Sequence, residues 1–176
     1  MRIALSIAGV AIFVLTAAGT ALAQGSGAEA RLKQLNITLP ADQAPAANFV
    51  NSVQAGKLLF LSGNTPGGQW PLKGKVGKDL TIEQGYDSAR QTGLIMLGKI
   101  RTALGSLDRV KRVVKVLGMV NSADGFSDQP KVVNGFSDLM VEVFGETVGK
   151  HARSAVGMAG LPGNAPIEVE MIVEVE

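Results

Sequence analysis

The chain reads as an α+β fold: a mixed β-sheet with two helices packed on one face. Three observations predict it. Two long segments carry apolar residues at helical spacing, 82–104 and 129–144. Valine-rich or alternating segments lie before, between and after them. Between these segments, glycine and proline mark the breaks. The order strand, strand, helix, strand, helix, strand, strand suits two layers around one core.

Taken in order, residues 1–23 stand apart. Arg2 is followed by an apolar run from Ile3 to Ala18 and by Ala21-Leu22-Ala23. This is the pattern of a secretory signal peptide cleaved before Gln24. The run is too short for a spanning helix. Residues 24–30 read as a flexible leader and 31–176 as a single domain. The expected location is periplasmic or secreted, with no stable membrane association after cleavage. Phe49 to Val53 and Lys57 to Leu61 read as paired strands around Gln54-Ala55-Gly56, with Ser62-Gly63-Asn64 ending the hairpin. Residues 64–80 form a long loop around the only tryptophan, Trp70, read as packing on the core or lidding a cleft.

Thr81 with Gln84 fits a capping box that opens a helix ending at Gly105. Ile82, Tyr86, Ala89, Gly93, Met96, Ile100 and Leu104 share one side of it. Val110 to Val120 is a strand by its valine content. Pro130, near a helix start, opens the second helix, whose stripe is Val132, Phe136, Leu139, Met140 and Val143. Strands over 153–159 and 166–175, joined by Leu161-Pro162-Gly163, close the chain. Two helices cover only one face of the sheet, so the other face calls for an oligomer.

Composition narrows function. The chain has no cysteine and one histidine, His151. That excludes disulfides, a thiolate nucleophile and any multi-histidine metal site, and no metal or other cofactor is expected. Without Arg2, 16 basic residues face 15 acidic ones, which gives no footprint for nucleic acid. Arg109, Lys111, Arg112 and Lys115 cluster without aromatics and read as a solvated face. The loop 68–75 lacks phosphate-loop spacing, and there is no Gly-x-Ser-x-Gly elbow.

The chemistry concentrates near the C-terminus. Arg153 lies on one strand; Glu168 and Glu170 share one face of the next. A guanidinium matches a carboxylate ligand, and a buried carboxylate can orient and deprotonate a water. Alternation alone does not choose among Glu168, Glu170, Glu174 and Glu176. His151 titrates nearest neutrality and is a candidate proton donor or an exposed loop residue. Asn134, inside an apolar helix, can hold a polar group of a ligand.

Ser62-Gly63, Asn134, Ala152-Arg153-Ser154, Leu161-Pro162 and Ile167-Glu168-Val169-Glu170 occur in the order and spacing of the Rid (YjgF) family, which the chain resembles over roughly residues 30–176. Its wording is closest to a YjgF/chorismate-mutase-like branch labelled as endoribonucleases. The resemblance implies a chorismate-mutase-like fold and a homotrimer with active sites in clefts between subunits. It implies hydrolysis of small 2-imino or enamine acids to 2-keto acids and ammonia. In that setting Arg153 binds the substrate carboxylate, Glu168 places the attacking water and Asn134 lines the site. Gly63, Phe49, Ala155 and His151 complete the substrate-binding set. Phe49 stands where the family has a tyrosine, Ala155 where it has a cysteine and His151 where it has a proline. The alternatives are a non-catalytic binder of small carboxylates and, more remotely, an endoribonuclease.

Overall fold

The computed structural model describes residues 27–45 and 47–176. The expected signal peptide, residues 1–23, and Gln24 to Ser26 lie outside the described residues. Helix α1 (Ala28–Gln34) comes first. The end of the expected leader is therefore helical, and Ala28 and Leu32 are buried. Glu29 explains why. Its carboxylate accepts both Arg101 Nε and Nη2, at 3.0 and 2.7 Å, and the Leu107 amide at 3.0 Å. The chain then runs to Asp42, which pairs with the buried Lys99 ammonium at 3.0 Å.

Strands β1 (Ser52–Ala55) and β2 (Leu58–Asn64) form a hairpin. It differs from the sequence reading in two ways. The turn is Gly56-Lys57, with Ala55 paired to Leu58, so β1 starts at Ser52 and leaves Phe49 and Val50 outside the strand. Ser62-Gly63-Asn64 is not a loop beyond β2 but the last three residues of the strand. Here β2 carries one extra residue against its neighbour: Leu61 pairs with Met171 and Asn64 with Val169. That is a β-bulge, a device that re-aims backbone beside a site.

Helix α2 (Ile82–Leu104) has the expected capping box. Thr81 Oγ1 accepts the Gln84 amide, and the Gln84 side chain accepts the Thr81 amide. Gly105 stops it at φ 81°, a left-handed conformation that other residues adopt only under strain. Strand β3 (Val110–Asn121) follows, then α3 (Gln129–Phe144) and the single turn α4 (Glu146–Gly149). All five residues of the predicted α3 stripe are fully buried. Strands β4 (Ala152–Met158) and β5 (Ile167–Val175) finish the sheet.

The sheet order is β1-β2-β5-β3-β4, antiparallel except for the parallel β3–β4 pair. The Leu161-Pro162-Gly163 segment therefore does not close a hairpin. It carries the chain from β4, on the edge, across β3 to β5. Val116, Val120, Val169, Met171 and Val173 point under α2 and α3 and are buried. The opposite face stays open, and Phe49, Val50, Val53, Phe60, Val156 and Met158 are exposed around it. Among the described residues no helix is long and apolar enough to cross a membrane.

Candidate active site

Strand parity decides where each candidate residue points. Side chains alternate between faces, and paired residues share a face. Arg153 pairs with Val116, which is buried under the helices. Its guanidinium accordingly reaches α3, where Nη1 donates to Asn134 Oδ1 at 2.8 Å and to Ser137 Oγ at 3.0 Å. His151 joins the same group. Its Nδ1 contacts the Gly149 carbonyl at 2.6 Å and its Nε2 the Ser137 hydroxyl at 3.0 Å. Burial, and then the positive charge of Arg153, hold the imidazole below its ordinary value, against the raising effect of the Gly149 hydrogen bond. Among the described residues no carboxylate pairs with Arg153.

Glu168 lies elsewhere. It pairs with Met119, three residues along β3 from Val116 and of opposite parity. It therefore stands on the open face, with Glu170, Ile172 and Glu174. Two strand spacings and three residues separate its backbone from that of Arg153, roughly 14 Å. One subunit does not bring the two residues together. Glu168 lies instead over the β2 bulge, and a Cβ on Gly63 would fall onto its Oε1. Gly63 thus leaves room for the flexible end of Glu168, and its φ is not an unusual one. Burial pushes the Glu168 carboxyl above the ordinary carboxylate range, and the Glu170 charge adds to this. Parity left four glutamates open; this bed over Gly63, with partial burial, sets Glu168 apart from Glu170, which is exposed.

The remaining candidates divide between these two places. Ala155 is on the Arg153 side and packs against the core. Phe49 is 55% exposed, and with Val53, Phe60, Leu117, Ser154 and Glu170 it lines a shallow concavity of about 570 Å³ on the open face. Trp70 packs on α2, where its Nε1 donates to Ser88 Oγ at 2.9 Å. The basic cluster disperses: Lys111 pairs with Glu176 at 2.6 Å, and Lys115 donates to Ser154 at 2.7 Å. Ser137 is the neighbour of Arg153 and His151 that the sequence reading missed. It lies 14 residues from His151 on a different element, and no local motif links them.

Residues 29–175 match the family model described as "YjgF/chorismate_mutase-like, putative endoribonuclease". The chain belongs to the YjgF (Rid) family. A curated relative, protein TCP17 of Trypanosoma cruzi, is 48% identical over 82% of this chain and 92% of its own. A solved protein of unknown function from Agrobacterium tumefaciens is 40% identical, with a TM-score of 0.76 over 84% of this chain and 91% of its own. A "putative endoribonuclease" from Shewanella oneidensis is 30% identical, with a TM-score of 0.81 over 85% of this chain and all of its own. The α+β sheet-and-helix architecture read from the residues, and the YjgF-like fold that the resemblance implied, are therefore both found here.

Proposed function

We propose that this YjgF protein hydrolyses small 2-imino or enamine acids to 2-keto acids and ammonia, at sites shared between the subunits of a homotrimer. The observation that carries this reading is the opposed placement of Arg153 and Glu168. Arg153 faces α3 at the edge strand β4, and Glu168 faces the uncovered side of the sheet. A site using both needs two chains. A neighbour whose β4 edge meets the open face would bring its Arg153 to the Glu168–Gly63 bed, and would also cover the exposed Phe60, Val53 and Val156.

In that cleft, Arg153 Nη1 is already held by Asn134 and Ser137, which leaves Nη2 and Nε to grip a substrate carboxylate as a fork. Glu168, with a raised pKa, takes a proton from a water as its oxygen bonds the imine carbon. Glu168 returns that proton to the nitrogen as the C=N π bond opens, giving a neutral carbinolamine. It then carries the hydroxyl proton to the amine, whose C–N bond breaks to release ammonia and the keto acid. A second reading, capture of a small carboxylate without chemistry, is favoured by Phe49, which brings an apolar ring and no hydroxyl to the concavity. Export, also a proposal, is tested by cell fractionation.

Ammonia release from freshly generated 2-iminopropanoate tests the main reading. The expected result is acceleration by the protein and loss of that acceleration in Arg153→Ala. Carboxylate binding measured by calorimetry, without ammonia release, would favour the second reading.

A further inference from the structure

Serine and threonine inside a helix usually return their hydroxyl to the carbonyl four residues back. Two residues of α2 do so here: Ser88 donates to Gln84 O at 2.7 Å and Thr92 to Ser88 O at 2.9 Å. Ser137, inside α3, does not. It reaches out of the helix to His151 Nε2 and Arg153 Nη1, each at 3.0 Å.

The direction of every bond in this chain is fixed by what each group can do. The Gly149 carbonyl only accepts, so His151 Nδ1 carries a proton and donates to it. A neutral imidazole then offers the Nε2 lone pair, and the Ser137 hydroxyl donates to it. Arg153 only donates, so Ser137 Oγ receives its Nη1–H. Burial keeps His151 neutral around pH 7 and so able to take a proton. A hydroxyl bonded to a base, a base oriented by a third group and a cation beside the attacking oxygen are the parts of an activated nucleophile. Ser137, His151 and Arg153 are each half-buried and Asn134 beside them is exposed, so a small molecule can reach the hydroxyl.

We propose that Ser137 and His151 are a nucleophile–base pair for acyl transfer from small esters, with Arg153 stabilising the oxyanion. Ser137 Oγ forms a bond to the ester carbonyl carbon and its proton passes to His151 Nε2. The negative oxygen of the tetrahedral intermediate forms beside the Arg153 guanidinium. Collapse breaks the bond to the alcohol, which leaves with the proton from His151. Water then attacks the acyl-serine, gives its proton to His151 and releases the acid, and the proton returns to Ser137. The net change is ester plus water to acid plus alcohol, with no further reactant. This activity shares Arg153 with the imine reading but does not rest on it.

The test uses the unaltered chain with two probes, a fluorophosphonate and p-nitrophenyl acetate. Peptide mapping is expected to find the phosphonate on Ser137. Ester hydrolysis is expected to fall about 100-fold in Ser137→Ala and in His151→Gln, the usual scale for losing a positioned base. Its rate in the unaltered protein should rise as pH climbs through the lowered His151 titration and then level off. An adduct on another residue, no adduct at all, or hydrolysis that survives in Ser137→Ala would overturn the proposal. Ammonia release from 2-iminopropanoate, measured on the same preparation, keeps the two readings apart. Labelling of Ser137 without deamination would leave this inference standing and remove the other. Deamination without labelling would do the reverse.

Discussion

The two faces of the sheet hold their key charges by opposite means. Under the helices, Arg153 is fixed by neutral acceptors, Asn134 and Ser137, with His151 behind them. Its charge is oriented but not neutralised. On the open face, Glu168 has no hydrogen-bond donor among the described residues and is confined mainly by the closeness of Gly63. Its charge is disfavoured, and its pKa rises. Each place lacks what the other supplies: the cation lacks an anion, and the carboxylate lacks a donor. On the proposed reading a single subunit carries two half-sites, and β3, lying between β4 and β5, keeps them apart.

Substitutions on each face test this contrast. The largest effect belongs to Arg153→Ala, for which kcat/KM for imine hydrolysis should fall by about 100-fold or more. Thermal unfolding should show the fold intact, because Arg153 is only half-buried and its side chain makes two hydrogen bonds, to Asn134 and Ser137. Phe60→Glu comes next. It puts a charge on the apolar open face, so sedimentation should show smaller species and activity should fall with them, while circular dichroism stays unchanged. Gly63→Ala should lower kcat by roughly tenfold, since the new methyl displaces the flexible end of Glu168 and not the backbone. If Gly63→Ala keeps full activity, Glu168 does not work from this bed.

Smaller effects read the charges themselves. Glu168 titrates higher in the folded than in the unfolded chain, so its ionised form is a cost to stability near neutrality, and that cost shrinks as pH falls toward the ordinary value of 4.5. Glu168→Gln should therefore keep or raise Tm at pH 7 while abolishing turnover. In the unaltered protein, activity should fail on acidification at a pH above that of an ordinary glutamate. His151 has the opposite sign. The unfolded chain takes up its proton first as pH drops below 6.5, so stability should decline there, and His151→Gln should flatten that slope in urea titrations at pH 5 and 7.

Much of this was legible in the residues. The limits of α2 follow from Thr81, Gln84 and Gly105, because capping and a left-handed stop are local chemistry. The buried side of α3 follows from spacing alone. The β1 boundary was misread because Phe49 and Val50 look like strand core, whereas the Gly56-Lys57 turn sets a register that leaves them outside the strand, toward the open face. Arg153 and Glu168 were identifiable by residue type and family pattern, but not their opposed faces. That fact depends on β3 lying between β4 and β5, a non-local pairing. The Ser137–His151 contact was equally hidden, because it joins a helix interior to the start of an edge strand with no motif between them.

The central claim, that Arg153 of one subunit serves Glu168 of another, has a direct test in mixed oligomers. Arg153→Ala and Glu168→Gln, each inactive alone, are unfolded, combined in equal amounts and refolded together. If sites are shared between neighbouring subunits, random assembly leaves about a quarter of them with both native residues, and roughly that share of wild-type ammonia release should return. Mixed oligomers that form, as shown by native mass spectrometry, yet remain as inactive as either parent would contradict the account.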